Sequence, residues 1–196
     1  MTANGRCFGD GDPLYAAYHD DEWGVPVTDE RGLYERLSLE AFQSGLSWLT
    51  ILRKREAFRA AFADFEPDAV ARFGDDDVAR LLADVGIVRN RAKIDATIAN
   101  ARATVDLRDA GTPLHELIWQ HRPEPRPAVK ALADLPAHVP EAAALAKALK
   151  RSGFRFVGPT TLYAAMQACG LVNDHIATCP CRERVERLQA AVANSP

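Results

Sequence analysis

Apolar residues in this chain recur at three- and four-residue intervals almost throughout, and stretches that alternate apolar with polar are scarce. Side chains three and four apart share a helix face, whereas a half-buried strand repeats every second residue, so the pattern predicts an all-α fold. Leu33, Leu37, Glu40 and Ser44 fall on one face behind a cap at Thr28 or Asp29. A second helix is expected from about Ser47 through Ile51, Arg55, Phe58 and Phe62. A third carries Val78, Leu81, Leu82 and Val85 and stops at Gly86; a fourth resumes near Asn90 with Ile94, Ile98, Ala101 and Val105. Two more run from Pro140 to Lys150 and from Thr160 to Cys169, with Gly170 as terminator. Arg182 to Asn194 reads as an added charged helix. The proline-rich stretch Pro123 to Pro127, with Pro136 and Pro140 beyond it, reads as a surface connection.

No apolar run approaches the roughly 20 residues of a membrane helix, so no membrane partner is expected. Met1 to Asp10 is polar and lacks the apolar centre of a secretory signal, which predicts a cytoplasmic protein; monomer is the default. Four cysteines are too few for a disulfide framework in 196 residues, leaving metal binding or plain burial. A net charge of -3 argues weakly against a nucleic-acid partner, but the charges segregate. Arg53, Lys54 and Arg55 form one basic cluster, Arg89, Arg91 and Lys93 a second, and Lys147, Lys150, Arg151 and Arg155 a third.

Three groups of residues carry chemistry. Residues 77–105 read as two helices joined by Gly86-Ile87-Val88-Arg89-Asn90, with Gly86 suited to a left-handed helix end and Ile87 to anchoring. Free amides at the next helix start, beside Arg89, Arg91 and Lys93, make an anion site that would hold a DNA phosphate. The competing reading is an ordinary helical hairpin with a solvated basic end. Next, Cys7 and His19 lie near one end of the chain, His175 and Cys179 near the other. Two thiolates and two imidazoles satisfy a closed, structural zinc site that would tie the ends together. Cys181 competes with Cys179 for the fourth place, and Cys169, on an apolar helix, reads as a small buried hydrophobe. Hydrogen-bonded histidines with free thiols are the alternative. Finally, Glu40 shares its face with Leu33 and Leu37, which predicts a carboxylate turned toward the core. Tyr15, Tyr18, Trp23 and Trp48 are close in sequence. Such aromatics are usually core, yet rings around an acid also suit a flat cationic base. Gly45 permits close approach to DNA, and Leu46 could enter the gap left by a flipped base.

Taken together these stretches resemble the 3-methyladenine DNA glycosylase I family. The matching residues are Asp12-Pro13-Leu14-Tyr15 with Tyr18-His19-Asp20, and Glu22-Trp23-Gly24-Val25-Pro26. Leu39-Glu40, Gln43, Gly45-Leu46-Ser47-Trp48 and Gly86-Ile87 follow, with Arg89, Arg91, Lys93 and Ile94. The last are Gly153-Phe154, Phe156-Val157-Gly158 and Met166 through His175. The resemblance implies a helix–hairpin–helix glycosylase of residues 1–181, with metal-binding ends 1–27 and 170–181, a hairpin 77–105, and an extension 182–196. It implies structural zinc on Cys7, His19, His175 and Cys179. It also implies a pocket in which Glu40 and Tyr18 contact 3-methyladenine and Trp48 stacks on it. Double-stranded alkylated DNA is then the substrate and free 3-methyladenine a product. The family carries a tryptophan two residues after the first cysteine, where this chain has Phe8 and Gly9 after Cys7; Phe8 is the expected replacement. With Lys93 committed to the hairpin, no lysine is placed as a Schiff-base nucleophile, so a monofunctional enzyme is expected.

Overall fold

The computed structural model describes residues 5–193 of the 196. The outermost residues of the expected metal-binding end and of the C-terminal extension lie outside the described residues. Those described are helical, with no strand among them. The order is α1 (Pro13–Ala17), a π-helical turn (Tyr18–Glu22), α2 (Glu30–Gln43), α3 (Trp48–Ala61), a 3-10 turn (Ala63–Phe65) and α4 (Pro67–Ala71). Then come α5 (Asp75–Ala83), α6 (Arg91–Asp109), α7 (Leu114–Trp119), a 3-10 turn (Leu132–Asp134), α8 (Pro140–Arg151), α9 (Pro159–Ala168) and α10 (Arg182–Ala193).

Local chemistry sets the starts. Asp29 accepts from Gly32 N at 2.8 Å to begin α2, and Ser47 accepts from Thr50 N at 3.2 Å to begin α3. Asn90 Oδ1 takes Lys93 N at 3.2 Å to begin α6. Helix α2 lies at the centre: Leu33, Tyr34, Leu37, Leu39 and Phe42 are buried, and α3, α6, α7 and α9 pack around it. The core is finished on one side by Phe58, Phe62 and Phe65, and on the other by Leu145, Leu149, Leu162 and Met166. A smaller cluster of Tyr18, Trp23, Leu52 and Ala168 stands beside it, with Phe8, Tyr15 and Trp48 packed against it.

Two expected boundaries move. Ser44 is exposed and ends α2 as its C-cap, so it leaves the buried face that Leu33, Leu37 and Glu40 share. Helix α5 stops at Ala83, and Val85, 73% exposed, lies in the connection, not on the helix. The expected left-handed helix end at Gly86 is corrected. Gly86 has no positive φ; its N–H donates to Asp84 Oδ1 at 2.7 Å, and a Cβ there would meet Ala57 Cβ at 3.0 Å. Glycine is required for close packing of the connection on α3. Gly170 does terminate α9, at φ +75°; a Cβ there would lie 2.5 Å from Pro26 N. That contact seats the end of α9 on the segment after the π-helical turn, where Gly24 N donates to Gln167 O at 3.0 Å.

Helix α10 packs on the same region. Val185 is fully buried, and Gln189 Nε2 donates to Gly24 O and Val172 O at 3.1 and 3.0 Å. Arg182 donates to the carbonyls of Asn173 and His175, and Arg184 to that of Asp20. None of these contacts is visible in the charge pattern of the helix.

Candidate functional site

Glu40 is 5% exposed, in the last turn of α2, and reaches the floor of a cavity of about 390 Å³. Aromatic walls surround it: Phe8, Tyr15, Tyr18, Trp23 and Trp48 all line the same cavity. Phe8 lies 4.8 Å from the Tyr15 ring and 5.0 Å edge-on from Trp23, while Tyr18 and Trp48 are 5.3 Å apart. Burial pushes the Glu40 carboxyl up to about 8, against the pull of the Arg36 guanidinium one turn earlier. Arg36 is held by Glu22 Oε2 at 2.6 Å and lies 5.8 Å from the Tyr18 ring. Burial and the nearby Glu40 both raise the Tyr18 hydroxyl well above its ordinary value. The Trp48 indole N–H is buried with no hydrogen-bond partner among the described residues. The cavity therefore offers flat apolar faces, an uncommitted buried donor and an acid whose charge is costly until a cation compensates it.

The lip is the turn after α2. Gly45 adopts φ +84°, and Leu46 stands 39% exposed beyond it. Gln43 clamps the turn: its carbonyl accepts from Leu46 N at 2.6 Å and its amide donates to Leu46 O at 2.7 Å. Lys93 clamps it from below, donating to Phe42 O at 2.9 Å and Ser44 O at 2.6 Å. This corrects the expectation that Lys93 is a cation exposed at the hairpin. It is 7% exposed, and its ammonium satisfies the last carbonyls of α2. Arg89 and Arg91 do face solvent, Arg91 with a loose pair to Asp95 at 3.5 Å. Gly86, with its N–H already bonded, offers no free amide there. Replacing Lys93 with methionine is expected to destabilise the fold by about 1–3 kcal/mol, since it orphans two carbonyls. On the expectation that the hairpin holds a DNA phosphate, Lys93→Met should leave the salt dependence of DNA binding unchanged, whereas Arg89→Ala should lower its slope by about one. Thermal melts and salt titrations of both variants check this.

Cys7, His19, His175 and Cys179 bring their ligand atoms within 4.8 Å of one another, a cluster that could hold a metal ion. The Sγ–N separations are 3.5 Å for Cys7–His175, 3.2 Å for His175–Cys179 and 3.6 Å for Cys179–His19. A tetrahedral zinc with ordinary bond lengths spaces sulfur and nitrogen about 3.6 Å apart. The tautomers are set as well. His175 Nε2 donates to Trp23 O at 3.0 Å and His19 Nδ1 bonds Asp20 Oδ1 at 2.8 Å, turning the other nitrogen of each ring inward. Cys181 faces Asp20 instead, 3.6 Å from Oδ1. Cys169 is buried in the main core.

Several lining residues escape sequence reasoning. Leu132, Leu135, Pro136 and Ala137 come from the segment read as a mere surface connection, and they close one wall. Thr160, Tyr163, Ala164 and Gln167 close another from α9; a helical stripe this polar was the available signal.

The fold and cavity define a class: an all-helical protein with a cavity walled by aromatic rings around a buried acid, of a shape to take a flat ligand. Comparison with known proteins narrows it. The methyladenine glycosylase family matches residues 8–183. The chain is 50% identical over 173 residues to DNA-3-methyladenine glycosylase 1 of Escherichia coli (strain K12), covering 87% of this chain and 92% of that protein. It is 41% identical over 172 residues to a DNA-3-methyladenine glycosylase of Haemophilus influenzae, covering 86% and 92%. A crystal structure of a tyrosine-to-phenylalanine variant of 3-methyladenine DNA glycosylase I in complex with 3-methyladenine superposes with a TM-score of 0.86 at 36% identity, covering 91% of this chain and 97% of that one. The chain belongs to the methyladenine glycosylase family and is an enzyme of that kind.

Proposed function

We propose that the protein removes 3-methyladenine from double-stranded alkylated DNA by hydrolysing the N-glycosidic bond, as a monofunctional enzyme of base excision repair. The observation that carries this reading is Glu40, buried in the cavity that Tyr18 and Trp48 also line, with no hydrogen-bond partner among the described residues. A binding surface alone has no reason to keep an uncompensated acid inside an aromatic slot. A base methylated at N3 is cationic in DNA. Its ring stacks on Trp48, Tyr15, Trp23 and Phe8, and its charge draws Glu40 into the ionised form. Neutral adenine supplies no such compensation and is rejected.

The base must leave the helix to reach the cavity. Leu46, held out by the Gln43 and Lys93 clamps, fills the space vacated in the stack, with Gly45 letting the backbone approach. Arg89 and Arg91 at the start of α6 hold backbone phosphates, so this contact is independent of sequence. In the chemical step a water oxygen bonds to the sugar carbon as the carbon–nitrogen bond breaks. The bonding pair goes to the base, which departs neutral, and the water's proton passes to solvent. Glu40 and Tyr18 touch the base and are the catalytic residues; the positive charge of the leaving group makes a strong acid unnecessary. Lys93 Nζ is bound to two carbonyls, which fits the absence of a Schiff-base step. A structural zinc on Cys7, His19, His175 and Cys179 fits the donor set and its spacing. With these four ligands a zinc would have no open position, so it would hold the chain ends and take no part in hydrolysis.

The test is chromatography of bases released from methylated duplex DNA. Free 3-methyladenine is expected. Tight binding without base release would instead make this a damage-recognising binding module.

A further inference from the structure

Beneath the α9 wall of the cavity, one buried carboxylate organises the polar side chains. Asp174 is 7% exposed. Its Oδ2 accepts from the Tyr163 hydroxyl at 2.5 Å and from Gln167 Nε2 at 2.9 Å; its Oδ1 accepts from Arg126 at 3.0 Å. Arg126 also donates to the Tyr163 oxygen at 2.7 Å. Three donors converge on Asp174, so the direction of every bond is fixed. Tyr163 spends its single proton there and has none for a ligand. Gln167 turns its NH2 toward Asp174, which leaves its carbonyl oxygen as the uncommitted acceptor of a side chain that lines the cavity.

We propose that Gln167 is a specificity residue: an acceptor, held by Asp174 as its positioning residue, that takes a hydrogen bond from an amine at the six-position of the purine and disfavours an oxo group there. This rests on the reading that the cavity holds a 3-methylated base. Charge cannot make the distinction. Methylation at N3 makes adenine and guanine alike cationic in DNA, so Glu40 and the aromatic rings meet the same charge in both. The six-position differs in sign, a donor on adenine and an acceptor on guanine. An acceptor set against an oxo group leaves two buried acceptors opposed, and such mismatches discriminate more strongly than size does.

The experiment measures binding of two free bases, 3-methyladenine and 3-methylhypoxanthine, which share a ring and differ at the six-position. The unaltered protein is expected to prefer the amino base by about tenfold or more. Gln167→Leu is expected to bring the two affinities within about threefold, chiefly by weakening the amino base. Asp174→Asn gives Gln167 a neighbour that both donates and accepts, so the carboxamide turns over freely and the preference falls. A purely structural Asp174 would weaken both bases equally and leave their ratio alone. Equal binding of the two bases by the unaltered protein overturns the inference, and this reading needs no variant to fold. A preference that survives Gln167→Leu, or Gln167→Met where leucine is not tolerated, overturns it too. Failure of the unaltered protein to bind either base overturns both this inference and the reading of the cavity on which it rests.

Discussion

Glu40→Gln is expected to lower kcat/KM for release of 3-methyladenine from duplex DNA by about a hundredfold, more through weaker base binding than through slower turnover. The same change is expected to make the protein more stable at pH 8. Both follow from an acid that burial has pushed up to about 8. The ordinary carboxylate value is about 4.3, so between that pH and 8 the folded protein holds a proton that the unfolded chain has released. Stability therefore falls as pH rises through this window. Glutamine has no proton to lose and escapes the loss, an advantage on the order of 5 kcal/mol above pH 8. At about 2–4 °C per kcal/mol, the variant should melt some 10–20 °C higher there, and alongside the parent at about pH 4. Substrate affinity should run the other way. A cationic base favours the ionised acid, so binding expels the proton, and affinity should rise about tenfold per pH unit up to about 8 before levelling. Tyr15 and Tyr18 titrate above their ordinary values and stay neutral through this range, while Arg36 stays charged. Melting curves, and titrations with methylated duplex DNA, in which the base keeps its charge, give both slopes when run at several pH values. A variant less stable than the parent at pH 8 would show that the acid is satisfied where it lies.

Withdrawal of a zinc held by the four-residue cluster should act on the fold itself. The purified protein is expected to carry one zinc per chain, and a strong chelator should lower the melting temperature by about 10–20 °C, the equivalent of roughly 5 kcal/mol. The cluster joins segments 168 residues apart, Cys7 and His175, so its loss frees both ends at once. Burial first, and then the neighbouring Cys179 and Cys181 thiols, push the Cys7 thiol up to about 12 against the Ile176 N–H, and a cation is what makes a thiolate tolerable there. Cys7→Ser should reproduce the chelator's effect, with Cys181→Ser changing metal content little. A protein free of stoichiometric zinc whose melting is indifferent to chelator would leave the four residues as a hydrogen-bonded group only.

Residues with a local signature were legible from the sequence, and those defined by distant contacts were not. Glu40 could be found because three residues on one helix face set its environment, and Leu33 and Leu37 are buried beside it. The cap at Asp29, one of the two offered, and the helix starts near Ser47 and Asn90 have the same local origin. Lys93 was misjudged by counting cations instead of turning the helix: residues two apart face different ways, so Arg91 and Lys93 cannot share a surface. With Arg91 in solvent, Lys93 had to point inward, where Phe42 and Ser44 end α2. Gly86 was read as a left-handed helix end, and the reason for a glycine there is instead the nearness of Ala57, a contact across 29 residues of chain. The choice between Cys179 and Cys181 turns on the backbone bend in which Cys179 N bonds Ile176 O at 2.9 Å. Gln167 and Asp174 meet because the chain reverses at Gly170, and no spacing rule announces that they share a proton.

Tyr18 and His19 are neighbours in the π-helical turn, closed by Trp23 N on Tyr18 O at 2.9 Å. One side chain enters the cavity and the other enters the cluster that joins the chain ends. A pivot of that single turn would move both together, so the geometry of the slot and the fastening of the termini cannot be altered one at a time. A chain whose ends have worked loose is therefore expected to misjudge its ligand while most of its helices still stand.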